Sequence, residues 1–195
     1  LGHVLGRELL LEIAEWRQAD SAFVEAEHIG LRLECAVHEP ADGEIRELVE
    51  FFGRSAANAA AGGFDGIEVH GAHGYLIHEF LSPEANQRTD DYGGSEANRM
   101  RFAIEVVESM RAHWPADKPL FMRLSIEDEA GWGPQENVRL AGILKTRGVD
   151  VIDCSSGGLS RKVPNFYRLT KYGYKVPFAE QIRRGADLMT MAVGL

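Results

Sequence analysis

Two histidines and a tyrosine fall within one short stretch, Glu68-Val69-His70-Gly71-Ala72-His73-Gly74-Tyr75. Two imidazoles and a phenol at this spacing can offer three hydrogen-bonding groups to one small oxygen-bearing ligand. Gly71 and Gly74 permit the tight turning that would bring them together. Spacing alone leaves alternatives open. Loop histidines can lie close without sharing a task. A metal site competes, because His78 and Glu79 follow closely, although zinc sites built from i, i+4 histidines sit on a helix and the two glycines oppose one.

The trio needs a scaffold, and the surrounding sequence supplies one. Residues 64–70 read as a short apolar strand, with Ile67 and Val69 facing one way and Glu68 and His70 the other. Before it, residues 44–61 place Ile45, Leu48, Val49, Phe52 and Ala56 at helical spacing, with Asp42-Gly43 as the start and Gly62-Gly63 as the stop. A long polar loop rich in Gly, Pro and Asn is expected after the strand. Residues 95–113 then form a helix capped by Ser95. The alternation continues with a strand at 119–125, a helix at 134–147, a strand at 150–154, a helix at 178–184 and a strand at 187–193.

Alternating helices and short apolar strands indicate a parallel sheet with helical crossovers. The polar, glycine-rich stretches follow the strands, at the ends where barrel enzymes carry their chemistry. The expected fold is therefore α/β, a partial (β/α)8 barrel of about four βα units. A complete barrel usually takes about 250 residues, and the chain has 195. It starts at Leu1 without a methionine and stops on a strand-like Val193-Gly194-Leu195, so it reads as an internal fragment. Residues 1–40 form an irregular segment with no readable strand before 31–37, and residues 41–195 form the barrel part.

Composition narrows the function classes. The chain is 45% apolar, which suits a globular domain. Its formal charge of -9 disfavours nucleic-acid binding. No apolar run approaches the ~18 residues of a membrane span. Leu9-Leu10-Leu11 is flanked by Glu8, Glu12 and Glu15, unlike a signal peptide. Cys35 and Cys154 are isolated thiols that form no disulfide framework or metal motif, so a reducing cytoplasmic setting is expected. Cys154 lies in an apolar strand and reads as a small core residue.

A longer pattern follows the trio: Phe80-Leu81-Ser82-Pro83, Asn86-Gln87-Arg88-Thr89-Asp90-Asp91-Tyr92-Gly93-Gly94-Ser95 and Asn98-Arg99. It continues through Phe121-Met122-Arg123-Leu124-Ser125, Asp150-Val151-Ile152-Asp153-Cys154-Ser155-Ser156-Gly157-Gly158, Pro177-Phe178-Ala179-Glu180-Gln181-Ile182-Arg183 and Ala192-Val193-Gly194. Together these resemble the Old Yellow Enzyme family of NADH:flavin oxidoreductases, and most closely its bacterial thermophilic-like ene-reductases. The resemblance covers residues 42–195, which would be the family's strands 4 to 7. The residues of the family's first two strands are not found, and residues 8–40 do not match.

The resemblance implies an FMN-containing barrel that takes hydride from NADPH or NADH and passes it to an activated alkene. It implies that His70 and His73 hold the carbonyl or nitro oxygen of the substrate and that Tyr75 donates the proton. Arg123 would sit beside the flavin pyrimidine ring, where a fixed cation stabilises the anionic reduced form. The bland alternative for Arg123 is a structural ion pair. Ser156, Gly157 and Gly158 would approach the flavin or the substrate, and Gly194 would begin a phosphate-binding loop. The family also implies a homo-oligomer acting on small molecules, and the glycines between the histidines argue against a metal. Two alternatives remain: an iron–sulfur flavoprotein of the dienoyl-CoA reductase or amine dehydrogenase type, and a non-catalytic remnant. The 88–99 run reads as architecture, and Trp132, in a glycine-rich loop, is a candidate for lining an entrance.

Overall fold

In a computed structural model, the structure describes residues 23–25, 42–128, 130–159 and 172–193. Its centre is a sheet of five parallel strands in sequential order: β1 (Phe23–Glu25), β2 (Gly66–Gly71), β3 (Leu120–Ser125), β4 (Val151–Ser155) and β5 (Met189–Ala192). The long helices of the crossovers are α1 (Asp42–Gly62) between β1 and β2, α3 (Glu96–His113), α4 (Pro134–Thr146) and α5 (Val176–Ala186). A parallel sheet in sequential order, with a helix in each crossover, is the winding of a βα barrel wall.

Two elements correct the sequence reading. The four expected strands are joined by a fifth, β1, inside the segment judged irregular. It pairs Phe23 with Gly66, Val24 with Ile67 and Glu25 with Glu68. Three residues are too few to carry a period-two pattern, which is why the strand was not legible. The stretch proposed at 31–37 lies outside the described residues. The second correction is a six-residue helix, α2 (Leu76–Leu81), in what was expected to be loop. Its Leu76, Ile77, Phe80 and Leu81 are buried, with i, i+1, i+4 and i+5 spacing that was hidden by the glycines and prolines around it.

Strand alternation separates two faces of the sheet. Ile67, Val69, Leu120, Met122, Leu124, Ile152 and Cys154 lie on one face, buried with Phe102, Val106, Leu140, Leu144 and Ile182 of the helices in a single core. Phe80 stacks on Phe102 with ring centroids 4.3 Å apart, which fastens α2 to α3. The other face carries His70, Arg123, Asp153 and Met191 in register, with Ser125 and Ser155 one step nearer the C-terminal strand ends. In a closed barrel this second face lines the interior. Cys154 is fully buried, and burial, with Asp153 beside it, pushes its thiol up to about 12. It is a core residue, as its strand position suggested.

The 88–99 run ties α2 to α3. Arg88 pairs with Asp90, and the Tyr92 N–H donates to Asp90 Oδ1 at 2.9 Å. Ser95 Oγ accepts the Asn98 N–H at 3.2 Å and caps α3. Arg99 donates to the carbonyls of Leu81 and Gly94 at 3.0 and 2.6 Å. Trp132, a candidate for an entrance, is 1% exposed and belongs to the core. Its loop folds inward because Asp128 Oδ1 accepts the N–H groups of Ala130 and Trp132 at 2.7 and 3.0 Å. No described helix is long and apolar enough to cross a membrane.

Candidate active site

The strand β2 ends at Gly71, and the chain turns sharply before α2 begins at Leu76. His73 and Gly74 make this turn in the left-handed region, with φ of 60° and 80°. For a histidine that conformation costs about 1–3 kcal/mol and needs surrounding contacts to hold it. Four such contacts are present. The His73 N–H donates to Ser125 Oγ at 3.1 Å, and the Gly74 N–H donates to His78 Nδ1 at 2.9 Å. The Tyr75 N–H donates to the Ala72 carbonyl at 3.2 Å. The backbone of Gly158, from the loop after β4, packs directly on the turn.

The turn brings the trio together. The His70 ring centroid lies 5.1 Å from that of His73 and 5.1 Å from that of Tyr75. His73 Nε2 is 2.5 Å from Ser155 Oγ, a hydrogen bond that fixes the ring against the end of β4. Ser125 also donates from Oγ to the Gly157 carbonyl at 2.7 Å. Serines at the ends of β3 and β4 therefore lock the loops that follow β2 and β4 to each other. Sequence reasoning did not single out Ser125 or Ser155. The signal was present, since both end strands on the face that carries His70.

Arg123 neighbours His70 across β2 and β3, and Asp153 across β3 and β4. Its Nε lies 3.4 Å from Asp153 Oδ2, and the Asp153 side chain is 4% exposed. The structural ion pair named as the bland alternative thus exists, on the same face as the trio. Burial raises the Asp153 carboxyl above its ordinary value, opposed by the charges of Arg123 and Lys175. Burial also lowers the Lys175 ammonium, and the nearby Arg123 charge adds to that effect. Arg123, Lys175 and the buried Asp153 therefore form one interacting group of charges on the inner face.

The remaining expected site residues are distributed around the turn. Ser156 Oγ is hydrogen-bonded to Tyr174 OH and so joins its loop to the segment before α5. The Gly157 N–H donates to the Glu127 carbonyl at 2.9 Å. Gly158 is required by space: a Cβ there would lie 2.2 Å from the His73 carbonyl carbon, and its φ is 125°. We expect Gly158→Ala to lower unfolding free energy by roughly 2–4 kcal/mol, through strain and overpacking against backbone that cannot yield. A fall in the urea midpoint of that order would show it, and an unchanged midpoint would mean that the loop is not held against His73. Gly194 lies outside the described residues.

His78, weighed in the sequence as a metal ligand, has a different setting. Its side chain is fully buried, Nδ1 accepts from Gly74, and Nε2 faces Asp128 Oδ2 at 3.3 Å. Burial would raise the Asp128 carboxyl, but the contacts from His78, Ala130, Trp132 and Ser82 outweigh it and hold it below its ordinary value. Neither this pair nor the role of Asp128 was read from the sequence. The two residues are 50 positions apart, and nothing in their spacing joins them.

A parallel βα sheet with polar side chains gathered at the C-terminal strand ends defines a partial (β/α)8 barrel with an enzyme-like site. Residues 3–195 match the NADH:flavin oxidoreductase / NADH oxidase family, and the chain belongs to that family. The match includes most of the N-terminal segment that the motif resemblance left out. NADPH dehydrogenase of Bacillus subtilis (strain 168) is 47% identical over 154 residues, which are 78% of this chain and 44% of the relative. The matched stretch therefore covers less than half the length of that relative. Among solved structures, 2-naphthoyl-CoA reductase in complex with 2-naphthoyl-CoA aligns with a TM-score of 0.73 at 29% identity, over 80% of this chain and 24% of the other. Morphinone reductase in complex with tetrahydroNAD aligns with a TM-score of 0.62 at 29% identity, over 80% of this chain and 40% of the other.

Proposed function

We propose that the protein is an FMN-dependent NAD(P)H oxidoreductase that reduces activated C=C bonds in α,β-unsaturated carbonyl or nitro compounds. The single observation that carries this reading is the convergence of His70, His73 and Tyr75 at one strand end, with the His70 ring centroid 5.1 Å from each of the other two. When bound, FMN supplies the hydride, which it receives from NADPH or NADH. The donor set suits such a group. Arg123 is a permanent cation on the inner face, buttressed by Asp153, and it would lie against the electron-rich edge of the reduced ring. Ser156, Gly157 and Gly158 would border the same space, and Gly194 would contribute backbone to the phosphate.

The chain's own residues then have distinct tasks. Addition of hydride at the β-carbon leaves negative charge on the carbonyl or nitro oxygen. N–H donors of His70 and His73 aimed at that oxygen stabilise the charge as it develops. The Tyr75 hydroxyl delivers the proton to the α-carbon, so hydride and proton together saturate the double bond. The substrates are small molecules. The setting is cytoplasmic, and the assembly a homo-oligomer without nucleic-acid or membrane partners.

The likeness to 2-naphthoyl-CoA reductase favours a second reading, an iron–sulfur flavoprotein of the dienoyl-CoA reductase type. The identity of 47% to an NADPH dehydrogenase, against 29% to that reductase, supports the first. The test is direct. The protein purified with FMN should be yellow, and it should oxidise NADPH in the presence of cyclohexenone or N-ethylmaleimide. A colourless protein, or NADPH oxidation indifferent to the alkene, would overturn the reading.

A further inference from the structure

We propose that His78 is a positioning residue: its Nδ1 accepts the Gly74 N–H and fixes the left-handed turn that aims His73, while Nε2 carries the ring proton and faces Asp128. The link to catalysis rests on the functional reading above, but the tautomer and its structural task do not.

The argument is one of hydrogen-bond accounting. The Gly74 N–H donates to Nδ1 at 2.9 Å, and a ring nitrogen that accepts a hydrogen bond carries no proton. The proton of a neutral imidazole must then be on Nε2, which faces Asp128 Oδ2 at 3.3 Å with both side chains fully buried. Asp128 is itself immobilised, since its other oxygen accepts the N–H groups of Ala130 and Trp132. The chain of contacts therefore runs from the loop after β3, through a carboxylate and an imidazole, to the backbone one residue beyond His73. With the proton on Nδ1 instead, that nitrogen would point an N–H at the Gly74 N–H, and the turn would lose its acceptor.

Three substitutions separate this role from simple packing. Asn at position 78 places a carbonyl oxygen near the position of Nδ1, whereas Gln reaches toward that of Nε2. H78N thus keeps the acceptor for Gly74, and H78Q keeps only the Asp128 side. In D128N the amide oxygen goes on accepting from Ala130 and Trp132, so the amide NH2 faces His78 and drives the proton onto Nδ1. The readouts are ring nitrogen NMR of His78, hydrogen exchange of the Gly74 amide, and titration of the FMN-loaded protein with a simple phenol.

We expect the unsubstituted protein to show a protonated Nε2 and a bare Nδ1, and D128N to reverse them. Gly74 amide exchange should be about tenfold or more faster in H78Q and D128N, and phenol binding about tenfold weaker, with flavin content unchanged. H78N should bind the phenol within about threefold of the unsubstituted protein. A proton on Nδ1 in the unsubstituted protein, or equal phenol binding by H78Q and H78N, would overturn the proposal. If H78Q does not fold, the tautomers of the unsubstituted protein and D128N still decide it. A protein that binds no phenol at all would sink the functional reading instead, while the tautomer and amide exchange would still judge the role of His78 in the turn.

Discussion

Replacing His70 and His73 together by alanine should abolish phenol binding to the FMN-loaded protein. A phenolate oxygen seated where a substrate carbonyl would lie accepts a hydrogen bond from each ring, and bonds to a charged group contribute about 1.5–3 kcal/mol each. Loss of both amounts to roughly 3–6 kcal/mol, or about 10²–10⁴-fold in affinity. The rings are 5.1 Å apart, close enough to converge on one atom. Their truncation leaves the Arg123–Asp153 pair in place, so flavin content should be kept. The measurement is a titration of the long-wavelength absorbance that appears when a phenol stacks on oxidised flavin. Binding within about threefold of the unsubstituted protein would show that the histidines do not hold the ligand oxygen.

The same pair of histidines shows how far the sequence could be read. Their closeness was legible because a strand ending in a glycine-rich turn confines any two residues three apart. The direction of the turn was not. Its left-handed His73 depends on Ser125, His78 and Gly158, which lie on three other segments. Elements long enough to show a period were readable: the helix expected at 44–61 spans Asp42–Gly62, and the strand expected at 119–125 spans Leu120–Ser125. The three-residue β1 and the six-residue α2 were too short, since one turn of helix or one strand repeat is shared by many irregular segments. His78 was a histidine without a period or a motif, and only tertiary packing gave it Asp128. Trp132 misled for a related reason. Its glycine-rich neighbourhood looked exposed, while Asp128 drew the loop into the core.

Tyr75→Phe should separate binding from protonation. The backbone of Tyr75 anchors α2: its N–H donates to the Ala72 carbonyl at 3.2 Å, and its carbonyl accepts from the Glu79 N–H at 2.9 Å. Neither bond involves the hydroxyl, and the ring's approach to His70 is available to phenylalanine as well. The substitution therefore removes one acidic proton and little else. A positioned general acid contributes about 10²–10⁴-fold to the rate of proton transfer, and turnover of cyclohexenone should fall by that order. Phenol affinity should be unchanged, because in the proposed mechanism the oxygen is held by the histidines and not by Tyr75. Reduction of the bound flavin by NADPH, and its reoxidation by a one-electron acceptor such as ferricyanide, need no proton from Tyr75 and should proceed at the original rates. The residual alkene reduction should also show an enlarged solvent isotope effect, since water must now deliver the proton slowly. Full turnover in the phenylalanine variant would assign the proton to another donor. A parallel loss of ferricyanide activity would instead mean that the substitution had disturbed the flavin site, and the two outcomes are told apart in one preparation.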